Sequence, residues 1–168
     1  MSYLSIISKI ILILVFALSA AQAQSTIAAS TQHAIIININ AAKENNAQWF
    51  VLTKGSYVVE PINKEQGGEY DSFNPWGKTP CENTNGCEIT VPTSSNGWFH
   101  SYKIEIPISR ETFYSNSPLL YPEESLGWLS ASKTRFQLEK GGLVGFSVQD
   151  SFYEDNLGGI SIKITPED

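Results

Sequence analysis

Cysteine and histidine are scarce in this chain, two of each among 168 residues. So few excludes a multi-cysteine zinc site and a disulfide-dense scaffold. Charge is sparse too: 17% of residues, with eleven Lys and Arg against seventeen Asp and Glu, a net charge of −6. A shortage of basic residues argues against nucleic acid and against an anionic membrane surface as partners. No G-x-S-x-G nucleophile elbow and no H-E-x-x-H zinc motif occurs, and Gly141-Gly142 and Gly158-Gly159 lack the spacing of a phosphate-cradling loop. Apolar residues are not short. At 42% hydrophobic and 11% aromatic, the chain has enough to offset the entropy of ordering one domain, which excludes a disordered protein.

The one long apolar run stands at the N-terminus. Lys9 gives a positive flank, Ile10 to Leu18 is unbroken apolar sequence, and Ala21-Gln22-Ala23 is a small-x-small cleavage site. The run falls short of the roughly 20 residues that span a bilayer. Residues 1–23 therefore read as a signal peptide cut between Ala23 and Gln24, leaving residues 24–168 as one exported domain, secreted or periplasmic. Removing 23 residues leaves 145, and losing Lys9 takes the charge from −6 to −7. No later run is long enough to span a membrane.

Export changes what the cysteines mean. Cys81 and Cys87 lie in a Pro/Asn/Gly-rich stretch, T-P-C-E-N-T-N-G-C, and in an oxidising compartment they read as a disulfide closing a small loop. Such a loop contributes about 2–3 kcal/mol in the chain-entropy model. A redox-active pair or two free thiols are the alternatives, but the spacing is not that of a C-x-x-C motif.

The rest alternates like strands. The candidates are His33 to Asn40, Gln48 to Leu52, Tyr57 to Ile62, Glu88 to Val91, Trp98 to Ile108, Thr134 to Leu138, Leu143 to Gln149 and Ile160 to Ile164. Trp98, His100, Tyr102, Ile104, Ile106 and Ile108 share one face. Seven or eight such strands, punctuated by Gly, Asn, Pro and Ser, predict an all-β, single-domain β-sandwich or jelly roll of about eight antiparallel strands. Two long connections, Asn63 to Asn85 and Glu111 to Ser132, stand out as functional or locally structured. Trp49, Trp98 and Trp128, in or beside strands, are expected in the core. Trp76, between Pro75 and Gly77 in a connection, is harder to bury and reads either as a ligand-stacking ring or as a cap on the sandwich.

The strongest chemical signal lies near the C-terminus. Asp150, Glu154, Asp155 and Asn156 put four oxygen-bearing side chains within seven positions, between two strands and ahead of Gly158-Gly159. A hard cation such as Ca²⁺ takes six to eight oxygens of this kind. The plainer reading is a hairpin turn, since Asp, Asn and Gly are favoured there anyway.

The pattern D-x-x-Y-x-D-N-x-G-x-(aliphatic)-x-(aliphatic), carried by Asp150, Tyr153, Asp155, Asn156, Gly158, Ile160 and Ile162, resembles the C-terminal signature of the PA-IL family of bacterial galactophilic lectins and related galactose-binding-like sandwich domains. Lys140 to Val148 is similar to the strand before that loop, and the likeness covers the last quarter of the chain. It implies a Ca²⁺ site with Asp150, Asp155 and Asn156 as side-chain ligands, a main-chain oxygen from Tyr70–Phe73 completing the shell, and sugar hydroxyls on the ion. Tyr70 or Trp76 would pack on the ring face of the sugar. The chain departs from the family in two ways. The stretch from Asp150 to Tyr153 is shorter, removing a Thr ligand position, and there is no His-Pro-x-Gln sugar-contacting segment. The resemblance thus speaks to the fold rather than to galactose in particular.

An enzyme finds little support. His100 reads as a general base or as a hydrogen-bonded strand residue, and Glu123-Glu124 as a solvated acidic turn after Pro122. A glycosidase pair of carboxylates is defined by separation in space, which sequence does not show. The expectation is an exported, non-catalytic, Ca²⁺-dependent carbohydrate-binding module. Its competitors are a metal-free structural or protein-interaction component of an envelope or adhesion system, and a polysaccharide hydrolase.

Overall fold

The computed structural model describes residues 27–28, 33–75 and 97–167. The expected signal peptide with its cut between Ala23 and Gln24, Trp76, the expected Cys81–Cys87 disulfide and the strand expected over Glu88 to Val91 lie outside the described residues.

The chain order is β1 (Ile27–Ala28), β2 (Ile35–Asn40), β3 (Gln48–Leu52), β4 (Gly55–Ile62), β5 (Phe73–Asn74), β6 (Ser101–Ile106), β7 (Glu111–Asn116), α1 (Glu124–Leu129), β8 (Thr134–Leu138), β9 (Gly142–Ser147) and β10 (Leu157–Glu167). Among the described residues these strands make two sheets. One runs β1-β3-β9-β6-β7, the other β2-β10-β4-β8, with β5 against the start of β10. Every pairing is antiparallel except β1 with β3. The protein is an all-β sandwich.

Alternation builds the core. Ile37 and Ile39 of β2, Ile160, Ile162 and Ile164 of β10, and Tyr57 and Val59 of β4 face inward from one sheet. Phe50, Leu52, Tyr102, Ile104, Ile106, Val144 and Phe146 answer from the other. Phe136 of β8 lies 5.3 Å from Tyr57 in its own sheet and 6.4 Å from Phe146 across the interface. A polar tie crosses as well: the Tyr102 hydroxyl donates to Thr134 Oγ1 at 3.0 Å. Burial pushes the Tyr102 phenol pKa up.

Glu111 to Ser132 is locally structured, as expected of so long a connection: it holds β7 and α1. The edge strand β7 buries only Ser115, so it lacks the apolar alternation that betrays other strands. The acidic turn is the start of α1, and Glu124 meets the Lys64 ammonium at 2.9 Å. Ile108 does not share the inner face. Pro107 opens a four-residue turn after β6, which carries Ile108 outward to 62% exposure. Trp49 also leaves the core, as the neighbour of inward Phe50 on the outer face of β3.

Candidate cation-binding loop

β9 feeds the loop, and its exit is fixed by the Val148 amide, which donates to Asn46 Oδ1 at 3.0 Å. Asp150 then folds the chain on itself. Its Oδ1 accepts from the amides of Ser151 and Phe152 at 2.6 and 3.2 Å, a turn in which a side chain mimics backbone. A single 3₁₀ turn, Tyr153–Asp155, follows, and the Asn156 amide donates to the Tyr153 carbonyl at 3.3 Å.

Asn156 is the anchor. It is 0% exposed, and its Nδ2 donates to the Ala41 carbonyl at 2.9 Å, joining positions 115 residues apart. Because a carbonyl only accepts, that contact fixes which way the amide faces and turns Oδ1 to the other side. There Oδ1 is buried with no hydrogen-bond partner, and so is Oδ1 of the preceding Asp155. Unpaired buried acceptors are uncommon because each costs about 1–3 kcal/mol of lost hydration. Here two fall on consecutive residues.

The connection from Asn63 supplies the other wall. Leu157 and Gly158 pair with Asn74 and Phe73, and the Gly159 amide donates to the Ser72 carbonyl at 3.3 Å. Main chain of the Tyr70–Phe73 segment therefore lies beside the residues that follow Asn156. Gly158 allows this approach. Its φ is +85°, and a Cβ there would sit 2.7 Å from the Ser72 oxygen. Behind the pairing lie Trp98, 2% exposed, and Ser72, fully buried, whose Nε1 and Oγ are also buried and unpartnered.

Of the sequence-predicted residues, Asp155 and Asn156 stand side by side with orphaned oxygens, while one oxygen of Asp150 holds its own turn. Tyr70 is nearby, but its ring lies over Gly159, within 2.9 Å of where a Cβ would be. Asp71 accepts from the Lys64 amide at 2.8 Å and holds its own connection in shape. Sequence reading missed Phe152, which the Asp150 turn presents at 71% exposure. Its signal was an aromatic residue inside a turn motif, where nothing apolar is needed for folding.

His100 stands immediately before β6, hydrogen-bonded through Nε2 and its amide, with Nδ1 buried and without a partner. It is fully buried, with Nε2 3.4 Å from the Ser161 carbonyl and its amide donating to Ser117 Oγ at 2.7 Å. Burial lowers its pKa to about 4, so the ring is neutral. Among the described residues no three His, Cys, Asp or Glu side chains cluster closely enough to hold a metal by themselves. A cation in the loop would rely on amide and main-chain oxygens beside the carboxylates, as Ca²⁺ does and zinc does not.

Comparison with protein-family models, with curated proteins and with solved structures finds no match for this chain. Among the described residues no helix is long and apolar enough to cross a membrane. The two sheets define the class as an all-β sandwich.

Proposed function

We propose that this chain is an exported β-sandwich binding module that holds Ca²⁺ in the 150–156 loop and recognises carbohydrate there, with no bond made or broken. One observation carries the reading: Asp155 and Asn156, consecutive in the chain, each have a buried Oδ1 without a hydrogen-bond partner. A hard divalent cation is the ligand that two such acceptors favour, and the second carboxylate oxygen of Asp150 would add to the donor set. The chemistry Ca²⁺ supplies is a coordination shell that can be shared with neighbouring hydroxyls. Phe152, whose ring is exposed on the same loop, joins Tyr70 and Trp76 as a candidate for stacking on the sugar ring. The resemblance to galactophilic lectins points the same way.

A glycan array probed with Ca²⁺ and again with EDTA tests this. Binding to at least one glycan that disappears in EDTA, and weakens about tenfold or more in Phe152→Ala, is the expected result. Binding indifferent to EDTA would remove the cation from recognition. A blank array, with capture of an envelope protein instead, would favour the interaction component, and turnover of a polysaccharide would favour the hydrolase.

A further inference from the structure

We propose a second ligand site: the cleft between the β6–β7 and β8–β9 turns binds an ammonium group carried on a short apolar stem. β9 runs from Gly142 at the cleft to Ser147 near the cation loop, and β6 pairs with it antiparallel, ending at Ile106. The cleft and the loop therefore occupy opposite ends of the sandwich, and one site can fail without the other.

The cleft encloses about 260 Å³, below the range of roughly 300–1,000 Å³ that takes drug-sized ligands. Its size suits a short chain. Ile106 and Leu138, one from each sheet, line it with almost no exposure of their own, and Ile108 lines it at 62% exposure. No aromatic residue is among its lining residues, so it is not a stacking site for a sugar ring.

Glu111 and Glu139 also line it. Each is held by a neutral neighbour: Ser109 Oγ donates to Glu111 Oε2 at 2.7 Å, and Gln137 Nε2 to Glu139 Oε1 at 2.8 Å. Neither forms an ion pair among the described residues, although Glu60, Glu105, Glu124 and Glu167 all pair with Lys or Arg. Lys140 lines the same cleft and pairs with neither, which leaves two carboxylates against one ammonium. Between Ser109 and Glu111, Arg110 takes a left-handed φ of +59°, a conformation costly for a residue with a side chain. An apolar lining beside two hydrogen-bonded carboxylates that outnumber the one ammonium is complementary to an alkylammonium and poorly matched to an anion or a neutral polyol.

The test is an NMR titration of the whole protein in EDTA, reading the methyl resonances of Ile106, Ile108 and Leu138. Pentylammonium is expected to shift them at millimolar concentration, and the neutral isostere pentanol to bind at least fivefold more weakly. Glu111→Gln with Glu139→Gln, both surface changes that leave the amide spectrum dispersed, should bring pentylammonium down to the level of pentanol. A lysine-containing peptide compared with free pentylammonium distinguishes a protein partner from a small amine. Equal binding of the two probes, shifts confined to other residues, or an unchanged affinity in the double variant would each overturn the proposal.

Discussion

At the scale of single residues, two positions give sharp tests. Gly145 is opposite Trp49 in the β3–β9 pairing, and a Cβ there would meet Cζ3, Cη2 and Cε3 of the indole at 2.6, 2.7 and 2.8 Å. Near-equal distances to three consecutive ring atoms mean that the ring lies flat over the glycine, an aromatic cover for bare backbone. Gly145→Ala should therefore destabilise the protein by about 1–3 kcal/mol in urea unfolding. In a Trp49→Ala background most of that cost should vanish, because the clash has gone. His100 gives the second test. Its pKa in the fold is about 4, against 6.5 for an ordinary histidine, so the unfolded chain takes up the proton first as pH falls. Its effect is absent above the unfolded pKa. Stability should then drop by roughly 3 kcal/mol between about pH 6.5 and 4 and fall no further on this account below that. His100→Gln, compared with wild type by urea unfolding at pH 7 and 4.5, should show a flatter profile. Parallel profiles would mean that other groups govern the acid response.

At the scale of elements, β10 is the spine of its sheet. It is bonded to β2 along one side and to β4 along the other, whereas among the described residues β7 pairs with β6 alone. Hydrogen exchange should accordingly be slowest in the centre of β10 and fast along the free side of β7. Ile162→Ala should cost about 2–5 kcal/mol, while Tyr114→Ala on β7, an exposed position, should stay within about 0.5 kcal/mol. The same contrast explains what sequence could reveal. Strands with a buried face announce themselves: the expected bounds of Gln48–Leu52 and Thr134–Leu138 are the observed ones. β7 does not, since an edge strand with one buried serine has no period to read, and α1 hides because its single buried residue is a glycine. The acidic loop was legible as composition and turn chemistry. What made its residues a candidate site was not legible, because the Asn156–Ala41 bond and the pairing of β5 with β10 join distant parts of the chain.

At the scale of the molecule, the sandwich carries orphaned oxygens at one end and an acidic, partly apolar cleft at the other. Only the first is asked to explain the protein's proposed role, so the decisive measurement belongs there. It is thermal unfolding of the whole protein in Ca²⁺ and in EDTA, with Asp155→Ala and Asn156→Ala alongside wild type. A cation that binds only the folded state stabilises it, by about 3 kcal/mol when present at a hundred times its dissociation constant. The wild-type transition should therefore rise by several degrees in Ca²⁺, and neither variant should respond. An unchanged transition in wild type, or a rise that survives in both variants, would contradict the cation site and the recognition built on it.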